Sequence, residues 1–160
     1  MEMKNIKEFT KDWKAQIKDR TNGTAAKLAI IQVGDNEASN RYVKHKLADC
    51  QECGIKAEHW KFPEAITQEK LEGELRDIIL SNPNGIIIQL PLPAHLDKEK
   101  LIWLIPDRMD VDGFKTNSQY DPCTPLGIKI YLEHCGFPFA GSNVLVIGRS
   151  DIVGKPMARM

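Results

Sequence analysis

The amino-acid order predicts an α/β fold of three layers, α-β-α, around a mostly parallel sheet. Helical apolar stripes alternate with short β-branched runs, giving helix, strand, helix, strand, helix, strand between Asn5 and Ile88. Two of those runs, Leu28 to Val33 and Ile86 to Ile88, are continuously apolar, as strands buried on both faces are. Each run is closed by a chain-turning residue: Gly34, Pro63, or the Pro91/Pro93 pair. In such a sheet, ligands sit beyond the carboxyl ends of the strands.

Ile6, Phe9, Trp13 and Ile17 form an amphipathic stripe over residues 5–20, ended by Thr21-Asn22-Gly23. The Leu28 to Val33 strand follows, and a second helix spans about Ala38 to Glu52, stopped by Gly54. Ile55 to Phe62 alternates loosely as a strand. Thr67 opens a third helix that runs past Leu75, Ile78 and Ile79 to the Asn82-Pro83-Asn84-Gly85 break. Beyond Ile86 to Ile88, a short helix is expected near Lys98 to Leu104. A polar loop from Pro106 to Pro122 follows, then a helix from about Pro125 to Cys135. Asn143 to Ile147 reads as another buried strand, running into the Gly148 to Pro156 turn. The expected division is residues 1–140 and the beginning of a second unit at 141–160.

Lys+Arg and Asp+Glu both total 22, so no basic excess points to nucleic acid or to an acidic lipid surface. At 42% hydrophobic and 28% charged, the chain has the composition of a folded domain. No apolar run approaches the ~20 residues of a membrane span, and Met1 to Arg20 lacks the apolar centre of a signal peptide. The expected compartment is the cytoplasm. The four cysteines are therefore expected as reduced, buried or half-buried thiols. Cys50 and Cys53 make a C-x-x-C, but Cys123 and Cys135 supply no matching second pair, so no metal is expected.

Three constellations could carry chemistry. Tyr42 and Lys46, four apart on the second helix, project from one face; packing along the lysine stem is the plain reading, and a catalytic lysine needs burial or a nearby cation. Gln89 stands at the carboxyl end of a central strand, where it either satisfies loop backbone or faces a ligand or a catalytic group. Asp110-Val111-Asp112-Gly113 begins like a calcium loop, but Lys115 stands at the sixth position and Asp121 at the twelfth. It is either an Asx turn closed by Gly113 or a carboxylate that accepts two parallel bonds from the N–H pair of a heterocycle. The Gly148 to Pro156 segment lacks G-x-G-x-x-G spacing, although Arg149 and Ser150 could face a phosphate at a helix start.

The carrying segments are Val33-Gly34 with Ala38-Ser39 and Tyr42-Val43-x-x-Lys46; Gly85 to Pro93; Pro106-Asp107 with Asp110 to Phe114; Pro122 to Pro125 with Gly127; and Val146 to Ser150 with Ile152 to Pro156. In this order they resemble the bifunctional methylenetetrahydrofolate dehydrogenase/methenyltetrahydrofolate cyclohydrolase family, the bacterial FolD type, over roughly residues 24–157.

The resemblance implies NADP-dependent oxidation of 5,10-methylenetetrahydrofolate and hydrolysis of the methenyl product to 10-formyltetrahydrofolate. It makes Lys46 the catalytic lysine, Gln89 the amide that tunes it, and Asp112 the carboxylate that holds the pterin. Tyr42, Leu90 and Pro91 would lie against the substrate, and Thr124, Gly148, Arg149 and Ser150 against NADP. A homodimer is implied, with tetrahydrofolate derivatives as the small-molecule partners.

Two features depart from the family. Met1 to Lys14 lacks its usual Asp-Gly-Lys stretch, and family members extend well past the Gly148 turn with most of a nucleotide-binding sheet and a returning helix. The expectation is therefore a folate-binding catalytic domain plus the first strand and turn of a Rossmann-like domain, with no dehydrogenase activity and no NADP binding by this chain alone. A catalytically silent folate-binding or dimerising module, and a plain α/β interaction domain, are the competing readings.

Overall fold

The computed structural model describes residues 3–115 and 118–160. Its elements, in order, are α1 (Ile6–Thr21), β1 (Lys27–Val33), α2 (Glu37–Glu52), β2 (Lys56–Phe62), α3 (Gln68–Leu80), β3 (Gly85–Ile88), α4 (Lys98–Leu104), a 3-10 turn at Asp107–Met109, α5 (Cys123–His134) and α6 (Gly154–Arg159). Asn5, Asn36, Thr67 and Asp97 cap the first four helices, each side-chain oxygen accepting a first-turn N–H.

β1 pairs in parallel with β2 on one side and β3 on the other, giving the order β2-β1-β3. Parallel neighbours need crossovers, and α2 and α3 supply them. Because side chains alternate across a strand, the sheet has two different faces. On one, Ala29, Ile31 and Val33 join Ile86 and Ile88 against Leu71, Leu75 and Ile78 of α3, Leu101 of α4, and Met109. This is the main core. On the other, Ile30 and Ile87 lie under α2 and its buried Val43, but the strand tips there are polar, at Gln32 and Gln89.

α1 buries no residue completely. It is tied to α2 by Lys14, which bonds Asp49 at 2.6 Å and Glu52 at 2.7 Å, and to α5 by Phe9, which meets Tyr131 edge-on and His134 at a tilt. Among the described residues, no helix is long and apolar enough to cross a membrane.

The three layers and the parallel sheet agree with the sequence expectation. Asn143 to Ile147 does not: it forms no strand, and Val144, Leu145 and Ile147 are 63%, 84% and 93% exposed. A strand exists through its ladder, and no strand lies beside this run among the described residues. The expected first strand of a Rossmann-like domain is thus an unpaired segment without regular structure. Cys123 also departs from expectation, being exposed while Cys50, Cys53 and Cys135 are buried. The helix expected from Pro125 begins at Cys123, since a proline in the first turn loses no helical hydrogen bond.

Candidate active site

A cleft of about 490 Å³ opens on the α2 face of the sheet, beside the end of β3. Tyr42 and Lys46 enter it from α2, Gln89 and Leu90 from the tip of β3, Asp112 and Phe114 from the loop after the 3-10 turn, and Cys123 and Thr124 from the start of α5.

Its centre is a lysine held by an amide. The Lys46 ammonium donates to Gln89 Oε1 at 3.1 Å, while Gln89 Nε2 donates to the Leu90 carbonyl at 2.8 Å. That second bond decides the amide's orientation, because a carbonyl accepts only from the NH2 side and the oxygen is left for the lysine. Ser39, buried at the start of α2, donates to the same Leu90 carbonyl at 3.4 Å and ties the helix to the strand tip. Gln89 is 8% exposed, so its amide is fully committed inside the protein.

The two aspartates that spacing alone left equivalent differ in their surroundings. Asp110 is 2% exposed and accepts the backbone N–H groups of Phe114 and Lys115 at 3.3 and 2.9 Å. Asp112 lines the cleft. Burial pushes its carboxyl up to about 6, Lys46 opposing the shift and Asp110 adding to it. Gly113, at φ +67°, turns the chain behind Asp112; a Cβ there would stand 2.5 Å from the Tyr120 carbonyl oxygen. Cys123 donates weakly to the Val111 carbonyl at 3.4 Å, with Asp112 Oδ1 4.0 Å away. Although the residue as a whole is exposed, the cleft walls desolvate its sulfur, and this with the Asp112 charge pushes the thiol up, which disfavours the thiolate.

The structure thus gathers Tyr42, Lys46, Gln89, Leu90, Asp112 and Thr124 into one cleft. Pro91 lies outside it, in a recess with Val33, Gly34 and Glu64. Gly148, Arg149 and Ser150 do not line the cleft either, although Ile152 and Val153 do. Sequence reasoning missed Phe114, Cys123 and these two apolar residues. The Asp112-Gly113-Phe114 and Pro122-Cys123-Thr124-Pro125 motifs held the first two in view, but nothing local showed that they meet.

A dinucleotide would need a strand, a glycine turn and a helix forming one crevice. Here Ser150 Oγ accepts the Gly154 N–H at 3.3 Å, Asp151 pairs with Lys155 at 2.5 Å, and the preceding residues are unpaired. The described residues do not fit a dinucleotide cofactor, and no step through one is derived.

A parallel α/β sheet with a lysine, an amide and a carboxylate lining one cleft beside a strand end defines the class: an α/β domain with a polar cleft where such sheets hold their ligands. The chain belongs to the tetrahydrofolate dehydrogenase/cyclohydrolase family: residues 3–112 match its catalytic domain and residues 122–160 its NAD(P)-binding domain. The chain is 42% identical over 157 residues to the bifunctional protein FolD of Paracidovorax citrulli, covering 91% of this chain and 54% of that protein. The crystal structure of the Campylobacter jejuni bifunctional FolD enzyme superposes with a TM-score of 0.89 at 36% identity, covering 94% of this chain and 59% of that one. A Trypanosoma brucei FolD structure, complexed with NADP and an inhibitor, gives 0.79 at 31% identity, with 95% and 55% covered. The chain spans about half the length of the curated relatives it matches.

Proposed function

We propose that the cleft binds a tetrahydrofolate derivative and hydrolyses the methenyl bridge of 5,10-methenyltetrahydrofolate to 10-formyltetrahydrofolate. The observation that carries this reading is the Lys46–Gln89 contact at 3.1 Å, in the same cleft as Asp112. As an ionised carboxylate, Asp112 accepts two parallel bonds from the amino and ring N–H of the pterin, which fixes the bridge carbon over Lys46. Water adds to that carbon and loses one proton; the hydroxyl so formed loses the second as the C–N5 bond breaks and N5 takes up a proton, so one proton is released overall. Lys46 is the group that moves these protons, and Gln89 holds it in register. Tyr42 and Leu90 pack against the ring system, as half-exposed apolar walls do in ligand clefts.

In the wider family the same cleft would face NADP across Thr124, with Gly148, Arg149 and Ser150 near its phosphates, and methylenetetrahydrofolate would be oxidised there. A homodimer is part of the same proposal; sedimentation of the chain at several concentrations tests it. The deciding experiment follows the loss of methenyltetrahydrofolate absorbance against a no-enzyme blank. Turnover should exceed the blank and disappear in Lys46→Ala, with the circular dichroism spectrum unchanged. A Lys46→Ala rate equal to that of the unmodified chain removes the lysine from the mechanism.

A further inference from the structure

We infer that Asp110 and Lys115 form a crossed clamp whose task is to position Asp112 for its ligand, which makes both of them positioning residues of the cleft. The inference rests on the folate reading above and deepens it.

Three observations carry it. First, both carboxylate oxygens of Asp110 are committed forward along the chain, to the N–H groups of Phe114 and Lys115, closing a turn with Asp112 at its apex. Second, Lys115 runs the opposite way. Its side chain is 4% exposed and its ammonium bonds Asp107 Oδ1 at 2.9 Å and the Ile105 carbonyl, lying 5.4 Å from the centre of the Trp103 ring. The two residues therefore strap the loop in both directions across Asp112. Third, Asp110 is bridged in parallel to Ile86 of β3, the strand that Gln89 directly follows. The bridge gives Asp112 and Gln89 a common backbone reference, so the carboxylate and the lysine's amide keep a fixed separation.

A plain structural explanation falls short of this arrangement. A buried carboxylate and a buried ammonium in one short loop are expensive to desolvate, and apolar side chains of similar size would stabilise the loop as well or better. Holding the cleft-lining apex in one place is what two charged straps accomplish and apolar packing does not, because their hydrogen bonds are directional.

The test is a double-mutant cycle on the full chain, with 5-formyltetrahydrofolate as the probe because it presents the same pterin N–H pair without reacting. Asp110→Asn keeps the size of the side chain and loses one accepting oxygen. It should weaken binding about 10-fold, as should Asp112→Ala, while the double variant should bind within about 2-fold of Asp112→Ala alone, since residues acting through one contact are not additive. Lys115→Met, which keeps the stem against Trp103, should show the same pattern, and it decides the matter if thermal melting shows Asp110→Asn to be unfolded. Additive losses, or unchanged binding in folded single variants, would overturn the clamp and leave the folate reading intact. Failure of the unmodified chain to bind the probe would overturn the folate reading, and the clamp's purpose with it.

Discussion

Ile86-Ile87-Ile88 and Val144-Leu145-Val146-Ile147 look alike as sequence, yet they have opposite fates. The first is the core of β3, with exposures of 1%, 9% and 4%; the second is irregular and bare, with Ile147 at 93%. Composition does not separate them. β3 has β1 along one edge, Asp110 bridged to the other, and helices over both faces, whereas the 143–147 run has no ladder partner among the described residues. Chemistry divides in the same way. The tip of the paired run delivers Gln89 to Lys46, while the residues after the bare run, Gly148 to Ser150, stay outside the cleft. An apolar run becomes a strand, and its tip a usable platform, only when neighbours supply the hydrogen bonds.

The comparison can be broken or sharpened at four points. Ile86→Ala should cost about 2–5 kcal/mol of stability, the range for deleting a buried aliphatic side chain, read as a fall in the urea midpoint at constant slope. An unchanged midpoint would mean that β3 is not the packed strand described. Gln89→Leu removes the lysine's acceptor at the strand tip and should lower cyclohydrolase turnover by roughly 100-fold, the scale of a misplaced catalytic group, with the substrate KM little changed. A KM effect alone would make Gln89 a binding residue.

Asp112 provides a pH test. Folding raises its carboxyl from 3.8 to about 6, so the folded chain binds more protons than the unfolded chain between those values. Stability from this group is therefore lost as the pH rises through that window, and the full cost is present at pH 7. Asp112→Asn should raise the melting temperature at pH 7 by about 2–4 °C, the shift that ~1 kcal/mol produces in a domain of this size, with no gain below pH 4. Ligand binding by the unmodified chain should weaken in the opposite direction, as acid neutralises the carboxylate. Equal melting temperatures for the two proteins at pH 7 would show that the carboxyl is not perturbed. The smallest effect belongs to Ile147→Thr, which should change stability by less than about 0.5 kcal/mol because an exposed side chain loses no packing. A loss as large as that of Ile86→Ala would show that the 143–147 run is buried in solution.

Much of the first 104 residues was legible because their signals are local. Period and punctuation marked α1 through α4 and the three strands to within a few residues, and Thr67 announced the start of α3. The site was legible in part. Helical spacing put Tyr42 and Lys46 on one face, and the position of Gln89 at the end of an apolar run marked it for a strand tip. Two alternatives stayed open on spacing alone: whether Gln89 served loop backbone or a catalytic group, and which aspartate of Asp110-x-Asp112 met the ligand. In the structure Gln89 bonds loop backbone through Nε2 and Lys46 through Oε1, and Asp110 holds the loop while Asp112 faces the cleft.

The sequence by itself determined the helices, the central strands and the residue types available for proton transfer, because periodicity, capping and turn chemistry act over a few neighbouring residues. Only the tertiary structure decided which apolar run became a strand, which of two carboxylates was buried as a clamp, and that Cys123 and Phe114 share a cleft with Lys46. Those outcomes depend on hydrogen-bond partners and desolvation supplied by residues tens of positions away, where no local pattern reaches.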